Sequence, residues 1–155
     1  MIRPARLDDL PALVEIENDV FARDRISRRN FRHLLTRAHA VSLVDEDRDG
    51  LCGYVTVLFR RGAAWGRLYS LAVLPRCRGR RLGQKLLAAA EAACRQQGCT
   101  SLRLEVHPAN AAAQRLYAKT GYSEFGRYPG FYEDGADALR LEKALAGGRK
   151  AGSKT

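Results

Sequence analysis

Long apolar runs are missing from this sequence. Its most apolar helix candidate, Arg81–Gln97, is broken by Lys85, Glu91 and Arg95, well short of the roughly 20 uninterrupted apolar residues of a membrane helix. The first residues, MIRPARLDDL, carry none of the hydrophobic segment of a secretory signal. Both absences predict a cytoplasmic chain with no membrane partner. Metal-ligand spacing is missing as well. Cys52, Cys77, Cys94 and Cys99 form no Cys-x-x-Cys pair, and His33, His39 and His107 are scattered. No metal is therefore expected, and the cysteines read as buried or incidental thiols in a reducing compartment. No Lys-Ser/Thr of a Walker loop and no Rossmann glycine pattern is present, so nucleotide hydrolysis has no support. Repeats are absent too.

What is present suits one globular domain. The 155 residues, 46% of them hydrophobic, can fill a single core. That domain is expected over 1–146, with 147–155 (GGRKAGSKT) as a flexible basic tail. The formal net charge is +10, a balance that suits nucleic acid, an acidic surface or a polyanionic ligand. The charge is clustered: Arg76, Arg78, Arg80 and Arg81 form one group, and Arg23, Arg25, Arg28, Arg29 and Arg32 another.

Periodicity predicts a strand at 2–5, then a helix opened by Asp8, Asp9 and Pro11 and carrying Leu10, Leu13, Val14 and Val20. Ser27 is placed to cap a second helix through Phe31, Leu34 and Leu35. Strands at 40–46 and 51–60 form a hairpin around DEDRDG, and a turn between Gly62 and Gly66 leads to a strand at 67–74, stopped by Pro75. A long helix spans Arg81–Gln97 with Gly98 behind it. A strand at 101–107, a helix capped by Asn110 and ended by Gly121, and extended runs at 122–129 and 136–143 complete the chain. The order β-α-α-β-β-β-α-β-α-β-β is a mixed α/β sheet covered by helices, with ligand space where strand order breaks.

The segment LAVLPRCRGRRLGQKLL joins a strand, a Pro stop, an arginine-rich glycine turn and a helix start. Amides at a helix start are unpaired and the dipole there favours anions, while Gly79 and Gly83 permit close backbone approach. These features describe a pyrophosphate cradle. The bland alternative is a solvated basic helix start.

In this segment the chain resembles the GNAT superfamily of N-acetyltransferases, whose acetyl-CoA signature is Arg/Gln-x-x-Gly-x-Gly/Ala after a strand of LAV-x-P type. Arg78 and Gly83 match, and Arg81 stands where the first signature glycine usually is. EVHPANAAAQRLYAKTGY and FYEDGADALRLEKAL resemble two later family segments, the second most like the RimI-type ribosomal-protein N-terminal acetyltransferases. The resemblance covers about residues 2–145. It implies a mostly antiparallel sheet of about seven strands flanked by about four helices.

The resemblance also implies direct attack of an amine on the thioester of acetyl-CoA. No Ser-His-Asp or Cys-His arrangement is suggested by spacing. An α-amine is about a tenth neutral at pH 7, a lysine well under a thousandth, so in either case a proton must leave. Glu105 matches the family's base, acting through water, although a salt-bridged strand carboxylate explains it equally. Tyr117 matches the general acid that protonates the leaving thiolate, against a core aromatic at helical spacing. The cofactor residues implied are Leu71, Ala72, Val73, Arg78, Gly79, Arg80, Arg81, Leu82, Gly83, Gln84, Asn110, Ala113 and Tyr117. Acceptor candidates are Phe21, Asp24, Arg25, Tyr132, Glu133 and Asp134. The acceptor expected is a protein or peptide N-terminal α-amine. The alternatives are a small amine (a polyamine, aminoglycoside or amino acid), or a basic nucleic-acid-binding module without activity. Nucleic acid is the weaker reading, because no RNP-type strand or recognition helix is visible. The assembly is open between monomer and homodimer.

Overall fold

Seven strands form one sheet in the order β1-β2-β3-β4-β5-β7-β6 in a computed structural model that describes residues 1–145. The strands are β1 (Ile2–Pro4), β2 (Ala40–Asp47), β3 (Gly50–Phe59), β4 (Trp65–Val73), β5 (Ser101–Val106), β6 (Ser123–Tyr128) and β7 (Ala138–Ala144). All neighbours are antiparallel except β4 and β5. The helices are α1 (Leu10–Val20), α2 (Arg28–Thr36), α3 (Leu82–Gln96) and α4 (Ala111–Lys119). The expected basic tail at 147–155 lies outside the described residues. No described helix is long and apolar enough to cross a membrane.

The predicted order of elements holds, with ends shifted by a residue or two. Ser27 Oγ accepts from the Asn30 amide at the start of α2, and Asn110 Oδ1 accepts from the Ala113 amide at the start of α4. Two short 3-10 turns, Leu7–Asp9 and Pro75–Cys77, went unpredicted. Gly66 corrects the expected turn between Gly62 and Gly66, since it lies inside β4. A Cβ there would come within 2.6 Å of Cys94 Sγ on α3, so the missing side chain lets helix and sheet approach.

Two cores flank the sheet. Leu10, Leu13 and Ile16 of α1 and Phe31 and Leu34 of α2 pack on Val44, Tyr54 and Ala72. Leu86, Leu87, Ala90 and Cys94 of α3 and Tyr117 of α4 pack on Val55, Val57, Leu68, Leu102 and Leu104. Leu68 and Ala72 belong to the same strand and an even spacing, yet enter opposite cores. The cause is a bulge: Thr56 pairs with Ser70 and Val57 with Leu68, which leaves Tyr69 without a partner. An extra residue of this kind inverts the alternation beyond it.

The cysteines need correcting. Cys52 on β3 and Cys77 in the turn Pro75–Cys77 form a disulfide instead of separate thiols, their Cα atoms 5.8 Å apart. Sequence spacing hid this because 25 residues separate them and only the folded turn brings them together. Cys94 and Cys99 are free and buried, and burial raises the Cys94 thiol to about 12.

Candidate active site

β4 and β5 run side by side for only three residue pairs, Trp65–Ser101, Gly66–Leu102 and Arg67–Arg103. Beyond Arg67 the strands part, at the Tyr69 bulge. The edge of β4 from Leu68 to Val73 and the facing edge of β5 from Leu104 to Val106 therefore pair only on their outer sides. Backbone amides and carbonyls along such a wedge need partners. Leu71, Ala72 and Val73 lie on this edge.

The basic turn stands after β4. Arg81 has φ 59° and ψ 28°, the left-handed conformation that a glycine adopts without cost. The departure from the glycine signature is thus one of residue type and not of backbone shape. Arg81 is also the N-cap of α3, and its side chain makes no capping bond. The first helical bond runs from the Lys85 amide to the Arg81 carbonyl, so the amides of Leu82, Gly83 and Gln84 have no intrahelical acceptor. Helices α2 and α4 are capped by side chains; α3 is not, and no acidic residue lies in its first turn. Gly79 has φ +89° with no atom within 4 Å of where a Cβ would sit, and Gly83 lies against Leu116 of α4. An anion fits this helix start.

Not every nearby arginine is free for it. Arg80 and Arg76 both reach Asp47 Oδ2, at 3.0 and 3.2 Å. The Arg80 hydrogen bond, with the Asp49 amide and Arg76, holds the Asp47 carboxyl at about 2. Asp47 also lies within 4.8 Å of the Cys52 and Cys77 sulfurs. With the sulfurs bonded to each other and two guanidiniums on the carboxylate, this donor set does not fit a cation.

Glu105 lies on the β5 edge of the wedge, and Tyr117 of α4 packs in the core with Leu102, Leu104 and Val106 of the same strand. Glu105 Oε1 accepts from Arg67 Nε at 2.8 Å and pairs with Nη2 at 2.7 Å. Tyr117 is buried on α4, and desolvation pushes its phenol well up. Tyr132 lies between them electrostatically: its phenol, raised to about 12 chiefly by burial, is pushed further by Glu105 and in turn raises Tyr117. Tyr132 packs against His107 in a tilted arrangement, with ring centroids 4.9 Å apart.

The other acceptor candidates come together in two loops that hold each other. The Asp24 amide donates to Glu133 Oε2 at 2.8 Å and the Glu133 amide to Asp24 Oδ1 at 3.1 Å. Asp134 accepts from the His107 ring at 2.7 Å and lies 3.8 Å from Arg23. Arg25 turns back on the end of α1, donating to the Phe21 and Asn18 carbonyls. Asn110 Oδ1 is committed to its capping bond. Under the first loop, buried Glu17 accepts from the Ile26 amide at 2.7 Å and from the Tyr54 hydroxyl, which also meets Ser70 Oγ at 2.7 Å. Burial raises the Glu17 carboxyl. Sequence reasoning missed Glu17, Arg67 and Asp47. A glutamate on the apolar stripe of α1 was a visible signal for the first; the others depend on strand register.

The chain belongs to the acetyltransferase (GNAT) family, whose model matches residues 9–122. It is an acetyl-CoA-dependent N-acetyltransferase. It is 32% identical over 139 residues to a Bacillus subtilis (strain 168) protein described as a [ribosomal protein bS18]-alanine N-acetyltransferase, covering 89% of this chain and 91% of that one. It is 30% identical over 150 residues to the N-terminal acetyltransferase A complex catalytic subunit NAA10 of Arabidopsis thaliana, covering 94% and 78%. The structure of the ribosomal-protein-S18-alanine N-acetyltransferase from Escherichia coli superposes with a TM-score of 0.83 at 24% identity, covering 94% and 93%.

Proposed function

We propose that this chain acetylates the N-terminal α-amine of a protein or peptide by direct attack on acetyl-CoA. The observation that carries the reading is the wedge between β4 and β5, with Glu105 on β5, Tyr117 in the core against the same strand and the uncapped start of α3 following β4. The relatives described as a ribosomal-protein alanine N-acetyltransferase and as an N-terminal acetyltransferase subunit support this class of acceptor.

Bound acetyl-CoA supplies the thioester that carries the acetyl group. The amides of Leu82, Gly83 and Gln84, with Gly79, Arg78 and Arg81 around them, hold its pyrophosphate. Leu71, Ala72 and Val73 offer backbone groups to its amide-bearing arm, with Asn110 and Ala113 at the start of α4 beside it. Glu105 takes the proton that the attacking amine must lose, through water, and Arg67 fixes the carboxylate by bonding Oε1. Tyr117 returns a proton to the leaving thiolate. Its burial keeps the phenol protonated, which is the form that donates. Phe21, Asp24, Arg25, Tyr132, Glu133 and Asp134 shape the acceptor's entrance from the two joined loops.

An acceptor screen tests the reading. Peptides with free and blocked α-amines, polyamines, aminoglycosides and amino acids are compared by release of free thiol from acetyl-CoA. Turnover with free α-amine peptides, and not with their blocked forms, is expected. Turnover confined to small amines would replace the acceptor class. A salt-sensitive nucleic-acid complex without any acetyl transfer would overturn the enzymatic reading.

A further inference from the structure

On the sheet face that carries Glu105, the cross-strand row Glu105–Arg140–Gly126 sits beside the row Arg67–Arg103–Glu142. Directly opposed residues project on one face with Cβ atoms about 5 Å apart. Glu105, Arg140, Arg67 and Arg103 of these rows line a cavity of about 470 Å³ with Trp65 and Tyr128. Its guanidiniums are not equivalent. Arg67 is bound to Glu105, and Arg103 Nε donates to Glu142 at 2.7 Å while its guanidinium lies over the Trp65 ring at 4.0 Å. Arg140 has no ion pair among the described residues. Its guanidinium carbon lies 4.6 Å from the Phe125 centroid and 4.1 Å from that of Tyr128, and its Nε is buried with no hydrogen-bond partner.

A desolvated guanidinium N–H without an acceptor is unfavourable in a folded protein unless something completes it. The planar fork of arginine matches a carboxylate, and aromatic rings on its faces hold it in one orientation. Phe125 and Tyr128 are themselves 40% and 39% exposed, which leaves apolar surface for the ligand's carbon skeleton. Of the other arginines lining the cavity, Arg67 and Arg103 are already neutralised and Arg60 has no buried unpaired N–H, so the one guanidinium that calls for an acceptor is Arg140, which matches a single carboxylate. Because Arg140 is the cross-strand partner of Glu105, that carboxylate belongs within a residue or two of the reacting amine.

We propose that Arg140 is a specificity-determining residue that selects acceptor peptides bearing a carboxylate side chain close to the N-terminal amine. The inference rests on the peptide-acceptor reading above. It is tested with peptides that differ only in carrying Glu, Gln or Lys at one of the first three positions, using the full chain and thiol release. At low salt, the Glu peptide should exceed the Gln peptide in kcat/KM by about tenfold at one of these positions, with Lys lowest. Arg140→Met should bring the Glu-to-Gln ratio close to one, and Arg140→Lys should restore part of it. Thermal melting of both variants separates lost selectivity from lost folding, and the wild-type ratio tests the proposal without any variant. A wild-type ratio near one at all three positions overturns the inference and leaves the peptide reading standing. So does an Arg140→Met variant that melts normally and keeps the wild-type ratio. Binding of acetyl-CoA with no peptide acetylated overturns the peptide reading, and the inference with it.

Discussion

The two ends of this site are built in opposite ways. At the donor end, bonds are left unmade: α3 starts without a cap, its first amides point outward, and Gly79 stands open. At the acceptor end, the two loops have closed on each other through Asp24 and Glu133, and Glu17 fastens the first loop to Tyr54 and Ser70 from beneath. The donor is a fixed chemical entity that fixed amides can recognise without rearrangement. On the proposed reading the acceptor is a chain that must enter and leave, which suits an entrance held by side-chain bonds at the surface, each modest and reversible.

Substitutions at each end sharpen this contrast. The largest effect is expected where the ends meet. Tyr117→Phe should lower kcat by about 100-fold, with acetyl-CoA affinity held within about threefold, measured by thiol release and calorimetry. Unchanged turnover would remove Tyr117 from the chemistry. At the donor end, Gly79→Val meets no atom but must adopt φ +89°. It should weaken acetyl-CoA binding by about tenfold, with the acceptor KM little changed. At the acceptor end, Asp24→Ala and Glu133→Ala should each raise the acceptor KM a few-fold and spare acetyl-CoA binding. A double-mutant cycle on stability should show coupling of about 1 kcal/mol. Additive behaviour would mean that the two side chain-to-amide bonds between the loops act independently.

Two smaller effects return to the turn. Arg81→Gly relieves a side chain at φ 59° and should stabilise the fold by about 0.5–1 kcal/mol in urea unfolding. The Asp47 carboxyl is held at about 2, below its ordinary 3.8, so its pairing with Arg80 and Arg76 stabilises the fold above about pH 4 and is lost as pH falls toward 2. Asp47→Asn should flatten the stability profile in that window alone.

Much of this was legible in residue order, for physical reasons. Capping residues, glycines behind helices and alternating strands are local signals, and Ser27, Asn110, Gly98 and Gly121 stand where those signals placed them. The roles proposed for Glu105 and Tyr117 rest on the family resemblance, since neither differs locally from a strand carboxylate or a core aromatic. What stayed hidden depends on register. The Tyr69 bulge switches the faces of β4, a slip that spacing cannot reveal because the partner strand defines it. The Cys52–Cys77 bond, the two arginines on Asp47 and the pairing of Glu105 with Arg67 join residues 25 to 38 positions apart. Arg140 gave no sign at all: in sequence it is one basic residue on the last strand.

The most direct measurement follows backbone amide resonances of the labelled protein as coenzyme A is added. The largest shifts should fall on Gly79 to Gln84 and saturate together, with smaller changes along Leu71–Val73 and none at Asp24 or Glu133. Saturable binding that leaves the amides of Leu82, Gly83 and Gln84 unmoved would contradict the account.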